Sequence, residues 1–205
     1  MIIHEHLEQG TQEWLEVRLG KITGSMVANI MANGRGGKPS AQTKSYMMQL
    51  MAEKLTGIPT DFFQSKDMQW GTDHEDEARE IYEFNEGFNV KQVGFVELSE
   101  FVGYSPDGLV EDDGMIEIKC PKTTTQLVRF FDSVGLPAEY KAQVQFGLLV
   151  TGRSWCDFVS YDPRLEGKAR YLVTRVYRDE EYLEEMVTRI NNFIEEFRRL
   201  FQLAT

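Results

Sequence analysis

"YSPDGLVEDDGMIEIKC", residues 104–120, is the stretch on which the fold turns. Asp107 stands at the end of one strand-like run, and Glu117 and Lys119 lie ten and twelve positions later on the next. Side chains two apart on a strand share a face, so Glu117 and Lys119 are presented together while Ile116 and Ile118 face a core. The acidic, glycine-containing turn between the runs allows a hairpin that brings Asp107 beside Glu117. Two carboxylates so placed can hold a hard divalent cation, which acidifies a water and neutralises charge on a phosphate. A lysine beside them can orient or deprotonate that water, or stabilise a pentacovalent transition state. Spacing alone leaves a second reading open: Asp107 as an Asp-Gly turn residue, with Glu117 and Lys119 on a solvated strand face.

Outward from this hairpin, residues 8–32 read as helical, broken near Gly20 to Gly24, with Trp14, Leu15, Leu19, Met26, Val27 and Ile30 at helical spacing. "NGRGGKPS" (33–40) is a flexible loop, and "TKSYMMQLMAEKLTG" (43–57) a helix stopping at Gly57, with Met47, Met48 and Met51 packing into the core. A helix over 68–86 ends before Gly87. Strand-like runs follow at 89–98, 102–110 and 115–120, helices at 124–132 and 137–150, and strands at 154–162 and 171–178. A long last helix repeats Leu183, Val187, Ile190, Ile194, Phe197 and Phe201, a stripe expected to pack across the domain's own sheet rather than form an oligomer seam. The fold class is therefore α/β: a central mixed sheet flanked by helices, in one domain spanning 1–205.

A net charge of -11 argues against a simple DNA-coating protein, since non-specific affinity comes largely from Lys and Arg. It leaves room for an enzyme whose positive charge is confined to a groove. No apolar stretch is long enough for a membrane span, and the acidic start "MIIHEHLEQG" is unlike a signal peptide, so a cytoplasmic protein with no membrane partner is expected. Cys120 and Cys156 follow no disulfide pattern and are expected to be reduced thiols. His4 and His6 fall in a frayed N-terminus without a role, and His74 is a single histidine that the site does not need.

"SPDG" followed by "MIEIKCP" resembles the PD-(D/E)xK nuclease motif, a restriction-endonuclease-like core. The whole chain resembles the lambda exonuclease family, also called YqaJ-like viral recombinase nucleases, through four ordered blocks: "WLEVRLGKITGS", "WGTDHEDEAR", "SPDGL…IEIKCP" and "YKAQVQFGLLVTG", the last followed by "SYDPR". Together they run from about Trp14 to Arg164. The resemblance implies a catalytic set of Asp107, Glu117, Lys119, Glu75 and Gln143, with one or two Mg²⁺ ions, or Mn²⁺ in their place, on Asp107, Glu117 and the backbone carbonyl of Ile118. Asp76 and Glu77 stand close enough to Glu75 to compete for its place, whereas Gln145 diverges from Gln143 on a helix. Arg18 and Ser25 match the family's residues near a DNA 5′-phosphate. Their alternatives are an ion pair of Arg18 with Glu13 or Glu16 and a helix N-cap at Ser25. Arg35 and Lys38, in the glycine loop, could touch the DNA backbone.

The activity so implied is 5′-to-3′ digestion of linear double-stranded DNA to mononucleotides, leaving 3′ single strands for phage recombination. The partners implied are a homotrimer ring around DNA, whose lumen can be electropositive though each subunit is acidic, and a single-strand annealing protein. Two rivals are a structure-specific or restriction-like endonuclease on the same core and a non-catalytic DNA-binding scaffold. Against the scaffold, Asp107, Glu117 and Lys119 are all intact.

Overall fold

The computed structural model describes residues 1–60, 66–133 and 135–205. In chain order these form β1 (Ile2–His4), α1 (Gln12–Arg18), α2 (Ala28–Met31), α3 (Ala41–Thr56), α4 (Lys66–Glu86), β2 (Val90–Lys91), β3 (Phe95–Ser99), β4 (Val102–Tyr104) and β5 (Gly108–Val110). Then come β6 (Gly114–Lys119), α5 (Thr123–Phe131), α6 (Lys141–Thr151), β7 (Trp155–Tyr161), β8 (Tyr171–Tyr177) and α7 (Glu180–Ala204). Among the described residues no helix is long and apolar enough to cross a membrane.

The expected mixed sheet is present, with strand order β2-β5-β6-β7-β8. Its neighbours are antiparallel except β6 and β7, which run parallel across the connection that carries α5 and α6. β6 is its central strand and is covered on both faces. Met115 joins one apolar cluster with Val144, Phe146 and Leu148 of α6, and Ile116 and Ile118 join another with Ala78 and Tyr82 of α4. Strand alternation thus aims Glu117 and Lys119 to the side opposite the two isoleucines, as their spacing required.

Several expectations are corrected. A second, antiparallel sheet, β1-β3-β4, lies beside the first. The runs 89–98 and 102–110 each contribute one strand to each sheet, so neither is a single strand. The first run breaks at Gly94, where a Cβ would lie 2.0 Å from the Leu7 carbonyl oxygen, and the second at Ser105-Pro106, where proline offers no N–H to a ladder. The N-terminus is not frayed: Ile2–His4 pairs with β3, and His4 Nε2 lies 3.3 Å from Glu97 Oε2. Residues 8–32 hold only the short helices α1 and α2. Gly20, at φ 65°, follows the end of α1, and Ile22 then pairs with β4 through its N–H to Phe101 and its carbonyl to Gly103. Met48 is 49% exposed and lies outside the core that Met47 and Met51 enter. The stripe of α7 packs within the chain as expected, but against α2, α3 and α6 rather than a sheet. Met186 and Phe193 are buried in it, while Val187 is 38% exposed.

Candidate active site

The β5–β6 hairpin pairs Gly108 with Ile116, which leaves Asp107 facing Glu117 just beyond the last ladder pair. Asp107 Oδ2 accepts the Ile118 N–H at 2.6 Å. N–H and carbonyl of one residue point to the same side of a strand, so the Ile118 carbonyl is directed to the same edge, past the end of β5. Glu117 is 1% exposed and is met by three donors: Tyr104 OH on Oε2, and Lys119 Nζ and Gln143 Nε2 on Oε1. Gln143 reaches it from α6, while Gln145 turns away to donate to the Tyr177 carbonyl at 2.9 Å.

α4 closes the other side. Glu75 is the carboxylate it turns inward, paired at 2.7 Å with Arg79 one turn on; Asp76 is outside, its side chain 84% exposed. Glu77 belongs elsewhere, accepting from Tyr161 OH and Arg170, with His74 beside it. Arg79 is buried and also donates its Nε to the Asp107 carbonyl at 3.1 Å, tying α4 to the hairpin.

Burial raises the Asp107 carboxyl well above the usual range, reinforced by the facing charges of Glu117 and Glu75 and only partly offset by Lys119. Burial also raises Glu75, against the pull of Arg79 and Lys119. For Lys119 burial alone would push the ammonium down, but Glu117 and Asp107 outweigh it and hold it above its ordinary value. Burial, with Glu75 and Asp107 close by, pushes the Cys120 thiol up to about 12, which disfavours the thiolate. Cys120 and Cys156 are both free.

Arg18 and Ser25 are linked to this cluster through neighbours, Arg18 through Ser105 and Ser25 through Gly24. The Arg18 guanidinium lies 3.9 Å from the Trp14 ring centroid and donates to Ser105 Oγ at 2.8 Å; burial lowers it to about 10. Among the described residues it makes no ion pair, so the pairing with Glu13 or Glu16 does not form. Ser25 is exposed and is not an N-cap, since α2 begins at Ala28 behind Val27. Its neighbour Gly24 is packed against the cluster: a Cβ there would stand 2.4 Å from the Tyr104 ring and 3.5 Å from Gln143 Cγ. Arg35 and Lys38 lie exposed on a turn around Gly36, at φ 64°, and no described contact joins them to the cluster.

The structure therefore brings together Asp107, Glu117, Ile118, Lys119, Gln143 and Glu75, joins Arg18 and Ser25 to them only through Ser105 and Gly24, and leaves Arg35 and Lys38 outside. Sequence reading missed Arg79 and Tyr104. Arg79 carried a signal, standing four residues after Glu75 where a helical ion pair forms. Tyr104 carried none, because it reaches Glu117 from the other sheet.

A mixed sheet with its acidic hairpin at the centre and helices on both faces is an architecture that this chain shares with solved exonucleases. An alkaline exonuclease from Laribacter hongkongensis, LHK-Exo, matches with TM-score 0.86 and 38% identity over 95% of this chain and 96% of that one. Its complex with dAMP matches with TM-score 0.85, at the same identity and coverage. A phage-related exonuclease from Haemophilus somnus 129PT matches with TM-score 0.69 over 90% of this chain and 96% of that one; at 17% identity it is a likeness of fold. The profile of the YqaJ-like viral recombinase domain matches residues 13–154. The chain belongs to that family. Among curated proteins none matches.

Proposed function

We propose that residues 1–205 act as one nuclease domain, a Mg²⁺-dependent 5′-to-3′ exonuclease. It hydrolyses one strand of linear double-stranded DNA to mononucleotides and leaves 3′ single strands. The observation that carries this reading is the convergence of Asp107, Glu117, Lys119, Gln143 and Glu75 at the open end of one hairpin. The relative at 38% identity is an alkaline exonuclease, and its complex with dAMP supports a mononucleotide product.

The donor set fits a hard cation. Asp107, Glu117 and the Ile118 carbonyl are oxygen ligands and would hold one or two Mg²⁺ ions, with Mn²⁺ able to replace them. Among the described residues no three His, Cys, Asp or Glu side chains form a metal-holding group by themselves. Mg²⁺ is held by one or two carboxylates together with substrate phosphates rather than by an all-protein cage. The crowding of Asp107 against the like charges of Glu117 and Glu75 supports the same fit, because a cation would relieve that repulsion.

When bound, the cation supplies Lewis-acid neutralisation of the phosphate and a water acidic enough to attack. Lys119, kept as an ammonium by Glu117, places a positive charge where the phosphoryl oxygens gain charge. Glu75, raised by burial, is poised to accept the proton of the attacking water. Gln143 contributes a neutral amide to a water or phosphate oxygen. Arg18, its planar fork stacked on Trp14, and Ser25 receive the 5′-phosphate of the DNA end, and Arg35 and Lys38 touch the backbone further along. The enzyme works in the cytoplasm as a homotrimer ring with a single-strand annealing protein as partner.

The test is a linear duplex labelled at either the 5′ or the 3′ end, beside a covalently closed circle, each with Mg²⁺. Release of the 5′ label as a mononucleotide, retention of the 3′ label and an uncut circle are expected. Cutting of the circle would replace this reading with an endonuclease.

A further inference from the structure

Lys119 and Gln143 share Oε1 of Glu117, whereas Oε2 is held by Tyr104. Tyr104 ends β4, in the antiparallel sheet, so its hydroxyl crosses from one sheet to a carboxylate on the central strand of the other. The side chain is 1% exposed, and two glycines make its seat. A Cβ on Gly24 would stand 2.4 Å from the ring, and one on Gly147 of α6 would stand 2.7 Å from it. Phe146 packs edge-on against it, with ring centroids 6.3 Å apart. Such a pocket would accept phenylalanine on packing grounds alone. What tyrosine adds is one O–H, and it is directed at Glu117.

We propose that Tyr104 is a positioning residue that locks the Glu117 carboxylate in its cation-receiving orientation. This rests on the metal-site reading above. A carboxylate with both oxygens held has given up its rotational freedom before a cation arrives, so binding does not bear that ordering cost. Partners of this kind orient metal ligands, and their loss lowers metal affinity by about 10–100-fold. A merely structural role would show in stability and leave affinity unchanged.

The experiment is calorimetric titration of Mn²⁺ into the full chain without DNA, with thermal unfolding recorded for each variant. Tyr104→Phe is expected to bind Mn²⁺ about 10–100-fold more weakly while remaining folded. Tyr82→Phe removes another buried tyrosine hydroxyl that donates to an acid, Asp157 at 2.8 Å outside the cluster. It is expected to lower the melting temperature and keep wild-type affinity. Glu117→Ala separates the two claims. If Glu117→Ala loses Mn²⁺ and Tyr104→Phe binds as wild type, the role of Tyr104 is refuted and the metal site stands. If Glu117→Ala also binds as wild type, the metal site itself is refuted and Tyr104 with it. Should Tyr104→Phe not fold, Gly24→Ala keeps every ligand and drives a methyl into the ring. It is expected to weaken Mn²⁺ binding in the same way, and wild-type affinity in it would overturn the proposal.

Discussion

Asp107→Asn is expected to abolish cleavage and yet make the cation-free protein more stable. The asparagine keeps the shape and still accepts the Ile118 N–H, now at 2.6 Å from a charged oxygen. Exchanging a charged acceptor for a neutral one forfeits about 1 kcal/mol. Against this stands removal of a negative charge that is half-buried and faces Glu117 and Glu75, with Lys119 only partly compensating. The raised carboxyl says which side wins: the fold disfavours the ionised form. A net gain of about 1–2 kcal/mol, the usual yield of relieving one strained functional position, corresponds to about 2–8 °C in Tm for a chain of this size. A carboxyl raised above its ordinary 3.8 contributes stability that is full below that value and lost as pH rises through the folded-state value. The variant escapes that loss, so its advantage should be absent in acid and grow toward alkaline pH. Mg²⁺ at about 100 times its Kd should return about 2.7 kcal/mol to the wild type and nothing to the variant. Thermal unfolding across pH, in EDTA and in Mg²⁺, measures all of this. A variant less stable than wild type in EDTA at alkaline pH would refute the reasoning.

Three further outcomes are expected. Lys119 is held above its ordinary value by Glu117, and that contribution is present below 10.5 and lost only as pH rises through the folded-state value; a pH–rate profile should therefore show no loss from this group up to about pH 10. Arg18→Ala should lower kcat/KM on 5′-phosphorylated ends about 10–100-fold more than on 5′-hydroxyl ends, the worth of a hydrogen bond to a charged group; equal losses would remove Arg18 from the phosphate pocket. Gln126→Leu should destabilise the fold by about 2–4 kcal/mol in urea denaturation, because this fully buried amide donates to the Ser160 and Ala169 carbonyls and accepts the Ser160 hydroxyl.

The central hairpin was legible because strand alternation is a local rule. Once "MIEIKC" was a strand, Glu117 and Lys119 had to share a side, and the glycine-containing turn returned Asp107 beside them. Helix ends were legible for the same reason, as at Gly57, where φ is 69°. What escaped depended on distant chain. Whether residues 89–98 make one strand or two is decided by Leu7, whose carbonyl passes the Cα of Gly94. N-terminal order depends on β3, more than ninety residues away. Arg79 and Tyr104 complete the site from a helix and a second sheet, and spacing along one strand says nothing of either. For Glu75, the competing Asp76 and Glu77 were separated only by seeing which side of α4 faced the hairpin.

The most direct test of the central claim is the rate at which a 5′-labelled linear duplex releases mononucleotides in Mg²⁺, compared among wild type, Asp107→Ala and Lys119→Ala. Release by the wild type, its loss in EDTA, and a fall of at least about 100-fold in each variant are expected, the scale of removing one charge-stabilising group. Wild-type release by either variant would contradict the claim.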